Sequence, residues 1–355
     1  MIKFRLLSPT KKYMNSLRVY FFTFCALVFF VFPPLMAQPS TQSELQALYD
    51  EAESITTLRS LLIQQIEELL GEEYFRSASA DYPYNIKSAS KSIISLLVGI
   101  AVDEGHLSLE ETLGDYFPDY FETNPSPKKE SITIKHLLSM QSGLETTSFY
   151  NYGAWVISDD WVEFQLDQPF EEEPGGKMVY STGTSHLLSV IITKATGMST
   201  KAFAEENLFN PLGIRVGGWD RDPQGYYMGG NNLALTPRSL LKIGQLMLNG
   251  GEYNGQQIVS SEWIRDSFKT YTRSNFNPYD YGYMWWNRPL GGHDVFFAWG
   301  FGGQYIFMIP ELDAVVVMTS FLQNANQRRA YKEPIFDLLE EGVIPYLEQQ
   351  KQDSF

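Results

Sequence analysis

The chain has 355 residues, of which 44% are hydrophobic and 19% charged, with a formal net charge of −15 and a single Cys. This length and composition are typical of a folded protein with one large core or two joined cores, and they argue against a disordered chain. The acidic balance makes nucleic acid and anionic lipid surfaces poor partners.

The first 37 residues have the pattern of a secretory signal. Five basic residues precede the apolar run 19–32, and the segment PPLMA at 33–37 ends in a small residue before Gln38. We expect cleavage after Ala37 rather than an uncleaved membrane anchor, which gives an exported protein, periplasmic or extracellular, of residues 38–355. Cleavage would change the net charge from −15 to −20 and remove Cys25, so disulfides and thiol catalysis are not expected.

The rest of the chain indicates neither a metal site nor a second independent domain. The four histidines, His106, His136, His186 and His293, are scattered and show no H-E-x-x-H spacing, so no metal is expected. We find no internal repeat and no Gly/Ser linker, which predicts one compact unit or two interleaved lobes.

In chain order, the first predicted elements are helices. Apolar residues between 58 and 70 fit a helical face by periodicity. Residues 88–104 are apolar almost all round and stop at Gly105, which predicts a helix buried inside the protein. A loop punctuated by prolines follows around 118–127. Further helices are predicted at 134–140, 184–196 and 240–248.

The last third of the chain has a different residue pattern. Short β-branched and aromatic runs are separated by Gly, Pro and Asp, which predicts antiparallel strands. These predicted strands are 281–286, 295–299, 304–309 and 314–320. A final helix over about 333–347 should cover one face of their sheet.

An S-x-x-K spacing places a hydroxyl and an amine one helical turn apart, and it occurs four times in this chain. Only Ser88 and Lys91 open a helix that should be buried throughout; Ser239 is more simply a helix cap. Lys91 is either a structural ammonium bonded to backbone carbonyls or an amine of depressed pKa that draws the proton from Ser88. Because no G-x-S-x-G occurs, Ser-His-Asp chemistry is less expected.

Seven segments occur in one order and at intervals that resemble the serine β-lactamase family, in its class C and penicillin-binding-protein-like branch. They are NIKSASKSIISLLVGIAVDEGHLSLEETLGDYFP, ITIKHLLSMQSGL, VYSTGTSHLLSVIITKATGMS, LFNPLGI, LALTPRSLLKIGQLMLNGGEYNGQQIVSSEW, YGYMWW and WGFGGQYIFMIPELDAVVVMTS. The resemblance covers about residues 55–345. The GFGGQ context is similar to the branch that contains 6-aminohexanoate-dimer hydrolases.

The resemblance implies an α/β (α+β) fold of the β-lactamase/DD-peptidase type. An antiparallel sheet of five or more strands, from about 45–87 and 250–350, would be flanked by helices, with a helical lobe of about 88–249 inserted. It also implies strands, not a helix, near residue 60.

The resemblance further assigns roles in the site. Ser88 would be the acyl-forming nucleophile, Lys91 its proton partner and Tyr180 the Tyr of the Y-x-N motif. The backbone N–H groups of Ser88 and Phe301 would form the oxyanion hole, and substrate would lie against Thr182, Trp299 and Gly300. No cofactor is implied.

Two departures from the family pattern concern substrate binding. Thr182 replaces the Asn of Y-x-N, and Ala298-Trp299 supplies neither the Lys or His nor the Thr or Ser that would bind a β-lactam carboxylate. We therefore expect an exported serine hydrolase that cleaves small esters or amides. A DD-peptidase or weak β-lactamase, and an inactive ligand-binding paralogue, remain as alternatives, and the oligomeric state is open.

Overall fold

The computed structural model describes residues 41–324 and 326–353. The predicted secretory signal and Cys25 lie outside the described residues. Within the described ranges, every helix is too short or too polar to cross a lipid bilayer.

Helices outnumber strands between residues 90 and 267 and also occupy both ends of the described part. The α-helices are α1 Thr41–Ser54, α2 Ser90–Asp103, α3 Leu113–Tyr116, α4 Pro118–Thr123, α5 Pro127–Glu130, α6 Ile134–Leu138, α7 Tyr152–Val156, α8 Trp161–Asp167, α9 Thr182–Thr196, α10 Thr200–Ala204, α11 Pro237–Leu248, α12 Ser261–Ser267, α13 Gln327–Ala330, α14 Lys332–Asp337 and α15 Ile344–Asp353. Short 3₁₀ turns lie at Lys87–Ala89 and Pro310–Leu312, and π-helical segments at Glu205–Phe209 and Leu338–Val343.

The strands of the described chain are β1 Leu58–Gln65, β2 Glu68–Tyr74, β3 Tyr84–Asn85, β4 Gly218–Trp219, β5 Leu233–Leu235, β6 Glu252–Tyr253, β7 Gln256–Gln257, β8 Thr272–Arg273, β9 Asp280–Tyr281, β10 Trp286–Leu290, β11 His293–Gly300, β12 Gln304–Ile309 and β13 Ala314–Ser320. Eight of them form an antiparallel sheet in the order β2-β1-β13-β12-β11-β10-β9-β8. The expected antiparallel sheet flanked by helices is confirmed. The mainly helical segment between its two parts also carries the small sheet β3-β5-β4.

The central strands β1, β12 and β13 are buried along their whole length because helices cover both faces of the sheet. On one face α11 approaches so closely that a Cβ at Gly244 would lie 2.3 Å from Cγ1 of Val315. On the other face the Phe336 ring of α14 lies 5.6 Å from that of Phe307, measured between ring centroids.

Three predicted elements need correction. The helix expected from periodicity between residues 58 and 70 is wrong, since a strand buried on both faces has no polar alternation to reveal it; the strands implied by the family resemblance are right. The predicted strand 281–286 is wrong because β9 ends at Tyr281 and a tight turn follows, with Gly282 N–H bonded to Trp285 O at 2.8 Å. The proline-rich segment contains α4 and α5, each with Pro in its first turn.

Strands 304–309 and 314–320 are confirmed at the predicted bounds. The predicted final helix corresponds to α14, the π segment and α15, which follow one another without a break. The lobe boundaries at about 88 and 249 stay a prediction.

Candidate active site

Ser88 lies in the 3₁₀ turn that leads into α2. The preceding residue, Lys87, has a φ of +53°, which L-residues rarely adopt. The turn is held by the Lys87 N–H, which donates to Asn85 Oδ1 at 2.9 Å, and by Ser90 Oγ, which donates to Lys87 O at 2.6 Å. Such strained turns are common at functional sites, and this one presents Ser88 half-buried at the N-terminal end of a helix.

The Lys91 amine is the centre of the site. Its side chain is 1% exposed, and Nζ lies 3.3 Å from Ser88 Oγ, 3.2 Å from Thr182 Oγ1 and 2.8 Å from Gly230 O. These partners are neutral oxygens, so burial is uncompensated and lowers the pKa of Lys91 from 10.5 to about 7. Lys91 therefore makes the carbonyl contact of a structural ammonium and also contacts Ser88 as an amine that can hold or release a proton near neutral pH.

Tyr180, two residues before α9, lies against the same amine. Lys91 Nζ is 5.0 Å from the centroid of its ring. Burial raises the pKa of Tyr180, while a side-chain hydrogen bond with Ser88 acts in the opposite direction. The hydroxyl is consequently a neutral phenol at pH 7, able to donate and accept a proton in turn.

Thr182 occupies the place of the motif's Asn and is buried. Its Oγ1 lies 2.8 Å from Ser148 Oγ, which also accepts the backbone N–H of Thr182 at 2.9 Å. A pair of hydroxyls therefore replaces an amide side chain next to Lys91. Ser148 was not predictable from the sequence, because it belongs to a loop without a recognisable motif.

The carbonyl that binds Lys91 belongs to a loop anchored by a buried pair, His186 and Asp222, both without solvent exposure. The Gly229 N–H donates to His186 Nδ1 at 3.3 Å, so His186 Nε2–H is the donor to Asp222 Oδ2 at 2.9 Å. A Cβ at Gly230 would lie 2.1 Å from Ser185 Oγ and 3.1 Å from Lys91 Nζ, so any side chain here would displace the Ser185 hydroxyl and crowd the amine. His186, which the sequence showed only as an isolated histidine, thus positions the loop that holds Lys91.

The end of β11 runs directly beside the Ser88 turn. A Cβ at Gly300 would lie 2.0 Å from Ile86 O, two residues before Ser88. Trp299 is half-buried, and the ammonium of Lys332 lies 3.8 Å above its ring, so this edge has a cation although Ala298 supplies none. Pairing of the Phe301 and Ser88 N–H groups as an oxyanion hole stays a prediction.

A cavity of about 730 Å³ adjoins this region, and its lining includes Lys87 of the Ser88 turn and Phe301, the residue after β11. The structure thus brings together Ser88, Lys91, Tyr180 and Thr182 by direct contacts, and places Trp299, Gly300 and Phe301 beside them. The arrangement is a serine hydroxyl touching an amine of depressed pKa and a neutral phenol, which suits acyl transfer.

Comparisons with known proteins agree with this geometry. The family model described as Beta-lactamase matches residues 64–337. Among curated relatives, the 6-aminohexanoate-dimer hydrolase of Paenarthrobacter ureafaciens is 22% identical over 295 residues, which is 75% of this chain and 73% of the relative. Esterase EstB of Burkholderia gladioli is 27% identical over 169 residues, 44% of this chain and 43% of the esterase, so the match spans less than half of that protein.

A solved structure with a similar fold is the D-amino acid amidase from Ochrobactrum anthropi SV3. Its TM-score is 0.66 at 18% identity, and the alignment covers 86% of this chain and 99% of the amidase.

Proposed function

The chain belongs to the beta-lactamase family and is a serine hydrolase, and on that premise we propose that it cleaves small esters or amides through an acyl-enzyme on Ser88. One observation carries the proposal: the buried amine of Lys91, with a pKa of about 7, contacts the Ser88 hydroxyl at 3.3 Å. Near neutral pH a substantial fraction of this amine is unprotonated and can accept the serine proton.

In the acylation step, Ser88 Oγ attacks the substrate carbonyl carbon while Lys91 takes its proton. The N–H groups of Ser88 and Phe301 would stabilise the oxyanion of the tetrahedral intermediate. The bond from that carbon to the leaving oxygen or nitrogen then breaks, and the leaving atom receives a proton from Tyr180, which is replaced from Lys91. Because its pKa is raised, Tyr180 passes this proton on as a phenol and is not a resting phenolate base.

In the deacylation step, a water molecule attacks the acyl carbon and gives its proton to the Lys91 and Tyr180 pair. Ser88 Oγ leaves with that proton, which restores the hydroxyl and releases the carboxylic acid. One ester or amide and one water thus give one acid and one alcohol or amine.

Two further features support small esters and amides as substrates. The named relatives include a 6-aminohexanoate-dimer hydrolase and an esterase, and the solved structure of similar fold is a D-amino acid amidase. The strand beside Ser88 carries Ala298-Trp299, so the groups with which the family binds a β-lactam carboxylate are replaced here.

Hydrolysis of p-nitrophenyl acetate and of acetyl p-nitroanilide by wild type, Ser88→Ala and Ser95→Ala tests the proposal. Ser95 is the matched control, since its Oγ lies buried in α2, the helix that follows the Ser88 turn, and has no hydrogen-bond partner among the described residues. Ser88→Ala should lose activity by at least about 10³-fold, and Ser95→Ala should keep it. Equal turnover by wild type and Ser88→Ala would refute the proposal.

We also propose that the protein is exported, on the basis of the basic and apolar pattern of residues 1–37 and the small residue at Ala37. Expression in a secreting bacterial host should give a protein whose N-terminal residue is Gln38, found outside the cytoplasm. A full-length N-terminus in the cytoplasmic fraction would contradict it.

A further inference from the structure

Four aromatic rings pack around Tyr180, those of Phe149, Phe276, Tyr281 and Trp286. The ring of Phe276 lies 5.7 Å from that of Tyr180, and the rings of Phe149 and Trp286 lie 6.1 and 5.7 Å away, measured between centroids. Phe149 and Phe276 also contact each other edge to face at 5.3 Å. Because the Tyr180 hydroxyl must reach the reacting atoms, a substituent next to the scissile bond lies close to these rings.

The two phenylalanines are exposed although they are large and apolar. Phe149 is 62% exposed and Phe276 is 41% exposed. Neither ring is needed to fill the core, and together they form an apolar surface at the rim of a polar site. Covering such a surface with an apolar group of the substrate is favourable, since it removes both from water.

Phe149 has a strained backbone conformation. Its φ is +52°, a left-handed conformation that is unusual for a bulky residue. The loop before it is bonded firmly to the Tyr180 segment: Thr146 Oγ1 donates to Tyr180 O at 2.6 Å, and Thr147 Oγ1 accepts the Gly183 N–H at 2.8 Å. A strained residue on a rigid base is typical of a position held for function.

We propose that Phe149 and Phe276 form an aromatic subsite that selects substrates with an aromatic or bulky apolar group directly beside the scissile bond. The proposal rests on the hydrolase function of Ser88 and names the substrate class for that site. The apolar group can belong to the acyl part or to the leaving part of the substrate, and the experiment separates the two.

The test compares kcat/KM for ethyl phenylacetate against ethyl acetate, which varies the acyl group, and for benzyl acetate against ethyl acetate, which varies the leaving group. Acid release is followed in wild type, Phe149→Gly, Phe276→Ala and the control Ile157→Ala. Ile157 is 82% exposed and makes none of these ring contacts. Comparing ratios between variants cancels the intrinsic reactivity of each ester.

Wild type should prefer the phenyl-bearing ester in at least one arm. Phe149→Gly and Phe276→Ala should each reduce that preference about tenfold, mainly through KM, and Ile157→Ala should leave it unchanged. Phe149→Gly should also unfold at the same or a higher temperature, because Gly adopts a positive φ freely. A lower Tm with uniformly reduced rates would instead indicate a structural role and overturn the proposal.

The proposal is also overturned if wild type and variants show the same ratios in both arms. That outcome leaves the hydrolase function intact, because the esters are still cleaved and Ser88→Ala is still inactive. Failure of the hydrolase function itself is distinguishable, since no ester would then be cleaved in a Ser88-dependent way.

Discussion

Replacing Lys91 by Met should stabilise the folded protein near neutral pH, and the gain should shrink as the pH rises. Burial holds the pKa of Lys91 at about 7 in the fold, against 10.5 for a solvated lysine. Between these values the unfolded chain carries a proton on Lys91 and the folded chain does not. The free energy of unfolding of wild type therefore rises with pH in this window by about 1.4 kcal/mol per pH unit, relative to a variant without the amine.

The magnitude follows from the same two pKa values. Keeping Lys91 in its buried position costs wild type roughly 4 kcal/mol at pH 7 and about 2 kcal/mol at pH 9. Met has a similar shape, but it leaves the Gly230 carbonyl without its donor, which costs about 1–3 kcal/mol at either pH. We expect Lys91→Met to be more stable than wild type by about 1–3 kcal/mol at pH 7, and this advantage to fall by about 2 kcal/mol at pH 9.

Urea unfolding of wild type, Lys91→Met and Lys177→Met at pH 7, 8 and 9 measures the effect. Lys177 is the control for loss of a lysine, because 83% of its side chain is exposed to water. The difference between wild type and Lys91→Met should depend on pH, whereas Lys177→Met should follow wild type. A difference for Lys91→Met that stays constant from pH 7 to 9 would show that the buried amine keeps its proton, and the reasoning would be refuted.

Four other predictions follow from the site. Tyr180→Phe keeps the ring contacts but removes the proton donor, so kcat should fall by about 10²–10⁴-fold with no change in Tm; an unchanged kcat would remove Tyr180 from the mechanism. In wild type, kcat/KM should rise with pH through about 7 as Lys91 loses its proton, and a flat profile from pH 5.5 to 8.5 would contradict this. Thr182→Val should lower kcat/KM about 10–100-fold through the lost contact with Lys91 while Thr182→Ser retains it, and equal rates for the two would argue against a role of the hydroxyl. His186→Phe removes the donor to Asp222 Oδ2, while Oδ1 keeps the Tyr226 N–H, and should reduce the free energy of unfolding by about 3 kcal/mol. Urea unfolding would detect this loss, and an unchanged midpoint would speak against the anchoring role.

The fold was predictable from sequence where turn-forming residues mark both ends of an element. Strands 304–309 and 314–320 were found at their true bounds because glycine, proline and aspartate residues flank them. The strand Leu58–Gln65 was not recognisable by periodicity, because a strand that is buried on both faces shows no alternation of exposed polar and buried apolar residues. The turn after Tyr281 was not predictable, because the residues around it are aromatic and aromatic side chains pack as well in a turn as in a strand.

The site residues also fall into two groups: those that sequence spacing and motifs predict, and those that only the tertiary structure brings in. Ser88 and Lys91 lie one helical turn apart, so sequence spacing alone brings them together, and the ordered motifs added Tyr180 and Thr182. Ser148, Phe149 and Gly230 come from loops that tertiary packing alone brings to Lys91 and Tyr180. A signal for one of them was present in the Gly229-Gly230 pair, because consecutive glycines often mark a close backbone approach.

The central claim, an acyl-enzyme on Ser88, is tested most directly by intact-mass measurement. Wild type and Ser88→Ala would each be exposed briefly to a fluorophosphonate, to a short activated ester and to a penicillin, in separate samples. Wild type should gain the phosphonyl group of the fluorophosphonate, with loss of its fluorine as HF, and the acyl group of the ester, with loss of its alcohol. It should show no lasting penicillin adduct, and Ser88→Ala should gain none of these groups. The same adducts on Ser88→Ala, or none on wild type with any probe, would contradict the claim, and a lasting penicillin adduct would contradict the choice of small esters and amides as substrates.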